Sequence, residues 1–348
     1  MLNSHEIIIE NIFVHQIGSN VEGQGVTLSQ QPLQIESDEI RELLMHYFLN
    51  SFKPGEYYHL AHEQDVNLNE VHAMVSAIFD DPSSLEEQSV NIANHLYNQS
   101  THPKIKPGEL YVVYFTNCLI DGEITDAVGL FKSESKETFL KVLSKNANFE
   151  VRQEQGVNVN KLDKGCIIFN IERDKGFVLE IVDNLNKKEE AQYWRDNFLN
   201  IKARKDEYQQ TKGYLDLCKT FVLEQAPKEF EVSRADQADF LNKSANYFKK
   251  NEEFSFNEFA GEVMKEPEVI EAFKGYKKQY ETAQNVELND EFSISSPAVK
   301  KQSKDFKSII KLDKNFHVYV HGGRECIVKG FDETTGMHYY QLFFKEEE

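Results

Sequence analysis

The sequence predicts an α+β protein with an acidic helical N-terminal module, a central antiparallel sheet with helices, and a small C-terminal β meander. Three observations support this prediction. Apolar residues at helical spacing follow an opening β-rich segment in the first hundred residues. Two pairs of β-rich runs, each pair interrupted by a turn sequence, occupy the centre. Further β-rich runs occur near the C-terminus, and hydrophobic residues make up 40% of the 348, enough for a sizeable core.

The N-terminal part predicts an opening strand region followed by three helices. Ile7–Ile17 is β-branched and apolar, which predicts one or two strands. Ser37 followed by acidic residues is typical of a helix start, and Asn67 or Asn69 can cap a second helix. The Ser-Ser-x-Glu-Glu sequence over 83–87 predicts the start of a third helix.

The central part predicts two hairpins with a short helix between them. Leu110–Leu119 and Ile124–Lys132 flank an Asp-Gly sequence that favours a tight turn. Gly165–Ile171 and Gly176–Val182 form the second pair of β-rich runs. A short helical segment is predicted around Thr138–Leu143, and the four strands together predict an antiparallel sheet.

The C-terminal part predicts helices followed by short strands. The predicted helices cover 188–199, 206–224, 234–249, 255–264 and 267–282. A polar connector is predicted over 285–303. The predicted meander strands, joined by Gly-containing turns at 322–323 and 335–336, cover 308–312, 316–321, 327–331 and 339–344.

These elements predict three domains. An acidic, mainly helical module covers 1–105, an α+β core module with a helical segment covers 106–290, and a basic connector with the β meander covers 291–348. The charge distribution sets the first module apart, because residues 1–100 hold 15 acidic and two basic residues, a net charge of −13 out of −19. Such a field repels nucleic acid, so any contact with DNA is expected elsewhere in the chain.

Composition and motifs exclude several classes of protein. The four cysteines are far apart and include no CxxC pair, which is typical of a reduced cytosolic protein. The sequence contains no P-loop, GxGxxG, GxSxG or HExxH motif. No apolar run approaches the ~18 residues of a membrane span, and the N-terminus lacks signal-peptide features. We therefore expect a soluble, intracellular, non-enzymatic protein with no cofactor, no resident metal and no membrane partner.

One arrangement leaves a metal-dependent hydrolase or nuclease open as an alternative. His59 and His62 lie three residues apart, near Glu63 and Asp65. First-row metal sites use three or four converging ligands, and this segment follows a Lys-Pro-Gly sequence typical of a loop. A structural histidine pair is therefore the favoured interpretation.

Two basic segments are candidates for contact with DNA. Residues 300–314 hold six lysines and two aspartates, a net charge of +4, and aromatic residues follow them; residues 202–212 hold a smaller basic cluster. Lysines interleaved with aromatics suit nucleic-acid backbones, although lysines on edge strands also protect against strand pairing. The candidate DNA-binding residues are Lys300, Lys301, Lys304, Lys307, Lys311, Lys314, Arg324, Lys202, Arg204, Lys205 and Lys212.

Several blocks of sequence carry a family resemblance. They are Lys161–Phe169 (KLDKGCIIF), Ile181–Asp183 (IVD), Ala191–Leu199 (AQYWRDNFL), the run from Glu109 to Lys132 and the block from Phe306 to Gly322. These blocks resemble the 37-kDa bacterial nucleoid-associated protein family. The resemblance implies a cytoplasmic, nucleoid-located bacterial protein associated with DNA and with DNA-handling enzymes, type II topoisomerases among them. It implies no catalytic residues.

The single tryptophan, Trp194, lies in the most specific of these blocks, beside Tyr193, Phe198 and Leu199. Large aromatic side chains usually pack in a core, so we expect a helix face docked on the sheet. The alternative is a hot spot for protein contact.

The leading hypothesis is a non-enzymatic nucleoid-associated protein that binds DNA weakly and non-specifically through its backbone. In the rival hypothesis the acidic module docks on a basic nucleoid enzyme, such as a type II topoisomerase, without direct DNA contact; a solvated face that maintains solubility is the simpler explanation of its charge. A homodimer is compatible with the sequence, although no exposed stripe predicts one. The candidate partner-binding residues are Asp38, Glu39, Glu42, Asp80, Asp81, Glu86 and Glu87.

Overall fold

The chain divides into two units, Met1–Arg204 (unit 1) and Lys205–Glu348 (unit 2). The computed structural model describes residues 7–53, 55–145, 148–185, 193–302, 306, 309–313, 315–319 and 326–346. Both helices and antiparallel strands are present, so the predicted α+β class is confirmed.

Unit 1 is built on an antiparallel sheet. Its strands are β1 (Ile8–Ile17), β2 (Val26–Thr27), β3 (Tyr58–Leu60), β4 (Gly108–Ile120), β5 (Glu123–Ser133), β6 (Glu137–Lys145), β7 (Asn148–Gly156), β8 (Lys164–Phe169), β9 (Val178–Asp183) and β10 (Ile201–Ala203). Eight of them form one sheet in the order β10-β3-β9-β8-β5-β4-β1-β2, and β6 and β7 form a separate two-stranded sheet.

Both predicted hairpins are confirmed. Asp121 and Gly122 have positive φ angles of 49° and 84° and join β4 to β5 with Ile120 opposite Glu123. This is the backbone that a two-residue Asp-Gly turn favours, because glycine accepts positive φ without strain. Strands β8 and β9 form the second hairpin.

Helices pack on both faces of this sheet. They are α1 (Asp38–Leu49), α2 (Glu70–Asp80), α3 (Leu85–Gln99) and a π-helical turn over Tyr193–Leu199. The side chains of Ser37 and Asn69 accept hydrogen bonds from the backbone N–H groups of Ile40 and His72, so α1 and α2 begin at predicted caps. Helix α1 shares one apolar core with the sheet, and α2, α3 and the π-helical turn share the other.

The single tryptophan belongs to the core. The Trp194 side chain is completely buried, and its ring centroid lies 4.8 Å from that of Phe198. The core interpretation of this aromatic cluster is therefore confirmed. The N-terminal part of the predicted helix 188–199 lies outside the described residues.

The prediction of a short helix around Thr138–Leu143 is wrong. This segment lies within β6, which pairs with β7 along its length. Over so short a stretch, the spacing of the apolar residues Leu140, Val142 and Leu143 is compatible with the periodicity of a helix and with that of a strand. The pairing partner, which the sequence analysis did not identify, decides in favour of a strand.

The structure divides the chain at a different place from the sequence. Residues Ile8 to Ile17 of β1 pair antiparallel with Thr116 to Gly108 of β4, so strands on both sides of the predicted boundary at 105 share one sheet. The predicted boundary at 290 falls inside unit 2, whose first residue is Lys205. Sequence periodicity identifies elements but not which strands are neighbours, and here neighbouring strands are far apart in sequence.

Unit 2 is mainly helical around an aromatic core. Its helices are α4 (Glu207–Thr220), α5 (Ala226–Glu229), α6 (Arg234–Lys250), α7 (Phe256–Phe259), α8 (Pro267–Gln284) and α9 (Ser296–Gln302), with π-helical turns over Phe221–Gln225 and Ala260–Met264. Its strands are β11 (Glu253–Ser255), β12 (Glu291–Ser293), β13 (Ile309–Leu312), β14 (Phe316–Tyr319), β15 (Ile327–Asp332) and β16 (Met337–Leu342). Phe221, Tyr247, Phe254 and Phe259 are among its buried side chains.

Two expectations for unit 2 need correction. The segment predicted as a polar connector contains β12 and α9, because β12 pairs with β11 and Ala298 and Val299 are buried. The predicted meander is two hairpins in separate sheets, β13 with β14 and β15 with β16. The predicted turn at 322–323 lies outside the described residues. No helix in the described ranges is long and apolar enough to cross a membrane.

Glu180, on β9, makes the stability of unit 1 depend on pH. The residue is 4% exposed, and burial raises the pKa of its carboxyl from 4.5 to about 7. The folded state therefore holds this proton more tightly than the unfolded state does. The stability that the protonated carboxyl contributes is lost as pH rises from about 4.5 to about 7. The free energy of unfolding should therefore fall by about 3 kcal/mol over this pH range. We expect this fall to be absent in Glu180→Gln, because glutamine does not titrate.

Urea unfolding followed by fluorescence tests this expectation, because Trp194 is the chain's one tryptophan and reports on unit 1. Glu123→Gln, at an exposed glutamate of β5, is the matched control and should keep the pH dependence of the original protein. The same pH dependence in Glu180→Gln would contradict the assignment.

Candidate functional site

Residues from four of the blocks that carry the family resemblance meet at one end of the sheet in unit 1. Lys132 on β5 lies opposite Lys164 on β8, and Lys164 lies opposite Asp183 on β9, so the three form one row across adjacent strands. Tyr193, at the start of the π-helical turn, covers this row: the Nζ atoms of Lys132 and Lys164 lie 5.4 and 5.0 Å from its ring centroid. We call this group the buried ionic cluster.

Hydrogen bonds satisfy the two ammonium groups. Lys164 Nζ lies 2.6 Å from Asp183 Oδ2, and Lys132 Nζ lies 2.9 Å from Glu134 Oε1. Lys132 also donates to the hydroxyl of Tyr193 at 3.2 Å, and that hydroxyl donates to Glu134 at 2.7 Å. Because each charge has an opposite partner, the desolvation cost of burying them is offset.

Asp163 fixes the backbone beside the buried ionic cluster. Its Oδ2 accepts hydrogen bonds of 2.7 Å from the backbone N–H groups of Glu134 and Ser135. The backbone N–H of Asn184 donates to the carbonyl of Asp163. This aspartate therefore ties the end of β5 to the chain that enters β8 and leaves β9.

Solvent does not reach the ammonium groups of the cluster. The side chains of Lys132 and Lys164 are 1% and 0% exposed, and that of Glu134 is 3% exposed. Burial lowers the pKa of Lys132, and the carboxylate of Glu134 opposes this shift. Burial is also the largest cause of the raised pKa of Tyr193, and the charge of Glu134 is the second. The cluster is too enclosed to bind DNA, and its arrangement is that of a structural network.

The sequence alone does not reveal this network as a unit. A lysine at the apolar end of β5 and another immediately before Gly165 were the available signals, since lysine is rarely buried without a partner. Glu134 lies only two residues after Lys132, whereas the pairing of Lys164 with Asp183 depends on the register of β8 and β9, which the sequence does not display.

A second ionic group involves two residues singled out from the sequence, Arg204 and His59. Arg204 donates to Asp121 and to Glu172, at 2.7 Å in each case, and His59 Nε2 lies 2.8 Å from Glu172. Burial lowers the pKa of His59, although the hydrogen bond and charge of Glu172 act to raise it. Burial acts to raise the pKa of Glu172, but hydrogen bonds with Arg204 and His59 outweigh burial, so this pKa is lowered. The guanidinium of Arg204 is therefore engaged by two carboxylates.

The metal-site alternative finds no support in this arrangement. His59 bonds to Glu172, and the Nδ1 atom of the other histidine, His62, accepts from the backbone of Gln64. Within the described ranges, no three or more His, Cys, Asp or Glu side chains are placed to hold one metal ion.

The structure brings two of the predicted basic segments together in unit 2. Lys301, in the last turn of α9, has its Nζ 6.0 Å from the ring centroid of Tyr208 on α4. Tyr208 lies between Lys205 and Lys212 in sequence, and Lys300 lies beside Lys301. Lys202 is separate, on the edge strand β10 of unit 1.

The remaining basic candidates cannot be placed. Lys304, Lys307, Lys314 and Arg324 lie outside the described residues, and of Lys311 only the backbone, on β13, is described.

The acidic candidates are distributed over three helices. Four lie in first turns, where a carboxylate interacts favourably with the helix dipole: Asp38 and Glu39 on α1, and Glu86 and Glu87 on α3. Glu42 lies one turn further along α1. At the end of α2, Asp80 forms two hydrogen bonds of 2.6 Å with Arg173, and the hydrogen bonding lowers the pKa of Asp80. Asp81 caps the next turn by accepting from Ser83.

The buried ionic cluster predicts a large difference between two lysine substitutions. Lys132→Met leaves Glu134 buried without its cation, and we expect a loss of about 3–5 kcal/mol in the free energy of unfolding of unit 1. Lys141→Met is the control, because its ion pair with Glu154 is exposed, 52% and 40%, and should cost less than about 1 kcal/mol. The double substitution Lys132→Met/Glu134→Gln should cost less than Lys132→Met alone. Equal losses for the two single variants in urea unfolding would contradict this account.

Comparison with known proteins places the whole arrangement in a family. A family model described as nucleoid-associated protein YejK matches residues 13–336, which includes the buried ionic cluster and most of unit 2. No curated protein matches the chain. The match covers far more than half of the sequence and confirms the resemblance drawn from its motifs. The chain belongs to the bacterial family of nucleoid-associated protein YejK.

Proposed function

We propose that this protein is a non-enzymatic nucleoid-associated protein of the cytoplasm that binds DNA weakly, through phosphate contacts made by unit 2. Family membership supports association with the nucleoid. The observation that carries the DNA contact is the packing of Lys301 over Tyr208, which joins the basic residues of α9 to those at the start of α4.

The positions of these lysines suit contact with a phosphate backbone. Lys300 and Lys301 lie on the exposed side of the last turn of α9, where cations interact favourably with the helix dipole. Lys205 is exposed immediately before α4, and Lys212 follows one and a half turns into that helix. A compact group of cations can neutralise successive phosphates and release their counterions.

The charge of the chain sets the strength of this binding. The net charge of −19 opposes approach to DNA, and residues 1–100 contribute −13 of it. Arg204, one of the candidate DNA-binding residues, forms ion pairs with Asp121 and Glu172. We therefore propose binding that is weak, non-specific and sensitive to salt, with about four to six phosphate contacts and a log–log salt slope near −4 to −5.

Binding of the full-length protein to a short fluorescent duplex, measured by anisotropy across about 50–200 mM salt, tests the proposal. Replacing Lys300, Lys301, Lys304 and Lys307 with glutamate should abolish most binding at low salt and flatten the slope. The charge-matched control replaces four other lysines of unit 2 with glutamate: Lys228, Lys249, Lys250 and Lys274.

The control separates local contact from a change in net charge. Both variants change the charge by the same amount, so equal losses would show that total charge, rather than this surface, governs binding. Absence of binding by the original protein at low salt would refute direct DNA contact and leave the second candidate function.

That second candidate is docking of unit 1 on a basic protein surface, and α1 favours it. Ile40 and Leu43 are 42% and 50% exposed on this helix, beside the exposed carboxylates Glu39 and Glu42. Exposed apolar side chains next to acids combine a contact area with electrostatic attraction to a cationic partner. The proposed partner is a DNA-handling enzyme of the nucleoid, such as a type II topoisomerase.

Biolayer interferometry with a purified bacterial type II topoisomerase tests the docking surface. Glu39→Lys/Glu42→Lys should weaken binding at least about tenfold, because it reverses the attraction beside Ile40 and Leu43. Glu86→Lys/Glu87→Lys makes the same change of charge on α3 and should have a smaller effect. Equal effects of the two variants, or no binding by the original protein, would contradict docking through α1.

A further inference from the structure

The hairpin formed by β6 and β7 is separate from the main sheet of unit 1. The two strands pair from Glu137 with Gly156 to Lys145 with Asn148, in a two-stranded sheet of their own. A lone two-stranded hairpin is marginally stable in water unless another surface covers one of its faces.

The register places charged and uncharged side chains on opposite faces of this hairpin. Directly paired residues share a face and successive residues alternate between faces. One face, the uncharged face, consists of Thr138, Leu140, Val142, Ser144, Phe149, Val151, Gln153 and Gln155. The opposite, charged face carries Glu137, Lys141, Glu150, Arg152 and Glu154, with the apolar residues Phe139 and Leu143 between them.

The apolar side chains of the uncharged face are accessible. Leu140, Val142, Phe149 and Val151 are 69%, 61%, 77% and 59% exposed. Together these side chains form an apolar patch of several hundred Å², a size that is often functional on a monomeric protein. On the other face, Glu150 lies 3.0 Å from Arg152 and Glu154 lies 3.5 Å from Lys141, so the charges there are paired within the hairpin.

We propose that the uncharged face of the β6–β7 hairpin packs on the same face of a second copy of this chain, forming a homodimer. This inference goes beyond the proposed function, since neither DNA contact nor docking through α1 requires it.

The uncharged face is a surface on which a second copy can approach. Two chains that each carry −19 repel one another across most of their surfaces. The uncharged face allows close approach without opposing carboxylates.

The area of the uncharged face is also appropriate. This apolar patch, together with the Thr, Ser and Gln side chains around it, supplies a large part of the roughly 800 Å² per partner of a standard interface. In a two-fold dimer, two such hairpins stack face to face about 10 Å apart. Both hairpins then gain the covering surface that a two-stranded sheet needs.

Sedimentation velocity of the full-length protein across a concentration series tests the proposal. We expect a dimer, and expect Leu140→Asn/Phe149→Asn to weaken it at least about 100-fold, because two apolar side chains leave the interface in each copy. Leu119→Asn/Ile124→Asn is the matched control: these residues form an exposed apolar pair, 41% and 73%, on the β4–β5 hairpin. The control should remain dimeric, and unchanged Trp194 fluorescence should show that both variants fold.

Chemical cross-linking locates the interface independently. Val151 lies in the central pair of the uncharged face, so Val151→Cys should give a covalent dimer with a short bismaleimide. Cys326 is exposed and is first replaced by serine, whereas Cys118, Cys166 and Cys218 are buried. Lys141→Cys, on the charged face, should cross-link much less.

Three results would overturn the proposal. The first is a monomer at every concentration, which would leave the face to a different protein. The second is a dimer that Leu140→Asn/Phe149→Asn does not weaken. The third is cross-linking through Lys141→Cys as efficient as through Val151→Cys.

Discussion

Unit 1 depends on the burial of two lysine side chains at the end of its sheet. Lys132 and Lys164 face one another across β5 and β8, and two like charges at that distance require carboxylates beside them. Glu134 and Asp183 supply those carboxylates, and Tyr193 links the pairs through its hydroxyl and its ring. The register of β8 against β9 and the position of the π-helical turn are thus coupled, because a shift of either would separate Lys164 from Asp183 or Tyr193 from Glu134.

The same coupling explains why this part of the molecule is structural. The ionic cluster is enclosed, and Trp194 packs immediately beside it in the apolar core. The surfaces that we propose for binding are elsewhere: the basic residues of α4 and α9, the acidic and apolar surface of α1, and the uncharged face of the β6–β7 hairpin. Each belongs to a separate element, so the proposed DNA contact, docking and self-association can be tested independently by substitution.

The β6–β7 hairpin shows how an element assignment controls a functional inference. As a helix, Thr138–Leu143 would place Leu140 and Val142 on different faces. As a strand they lie on one face, and the ladder to β7 adds Phe149 and Val151 to it. The exposed apolar stripe that the sequence analysis did not find therefore exists only in the paired form.

Local chemistry in the sequence determined much of the fold. Ser37 and Asn69 cap helices, Asp121 and Gly122 form the predicted turn, and the aromatic block around Trp194 is buried, because caps, turns and apolar clusters depend on residues close in sequence. Tertiary structure alone decided the contact of Lys132 with Tyr193, the engagement of Arg204 by Asp121 and Glu172, and the contact of Lys301 with Tyr208. These contacts join residues far apart in the chain, and their geometry depends on strand order and register, which periodicity does not encode.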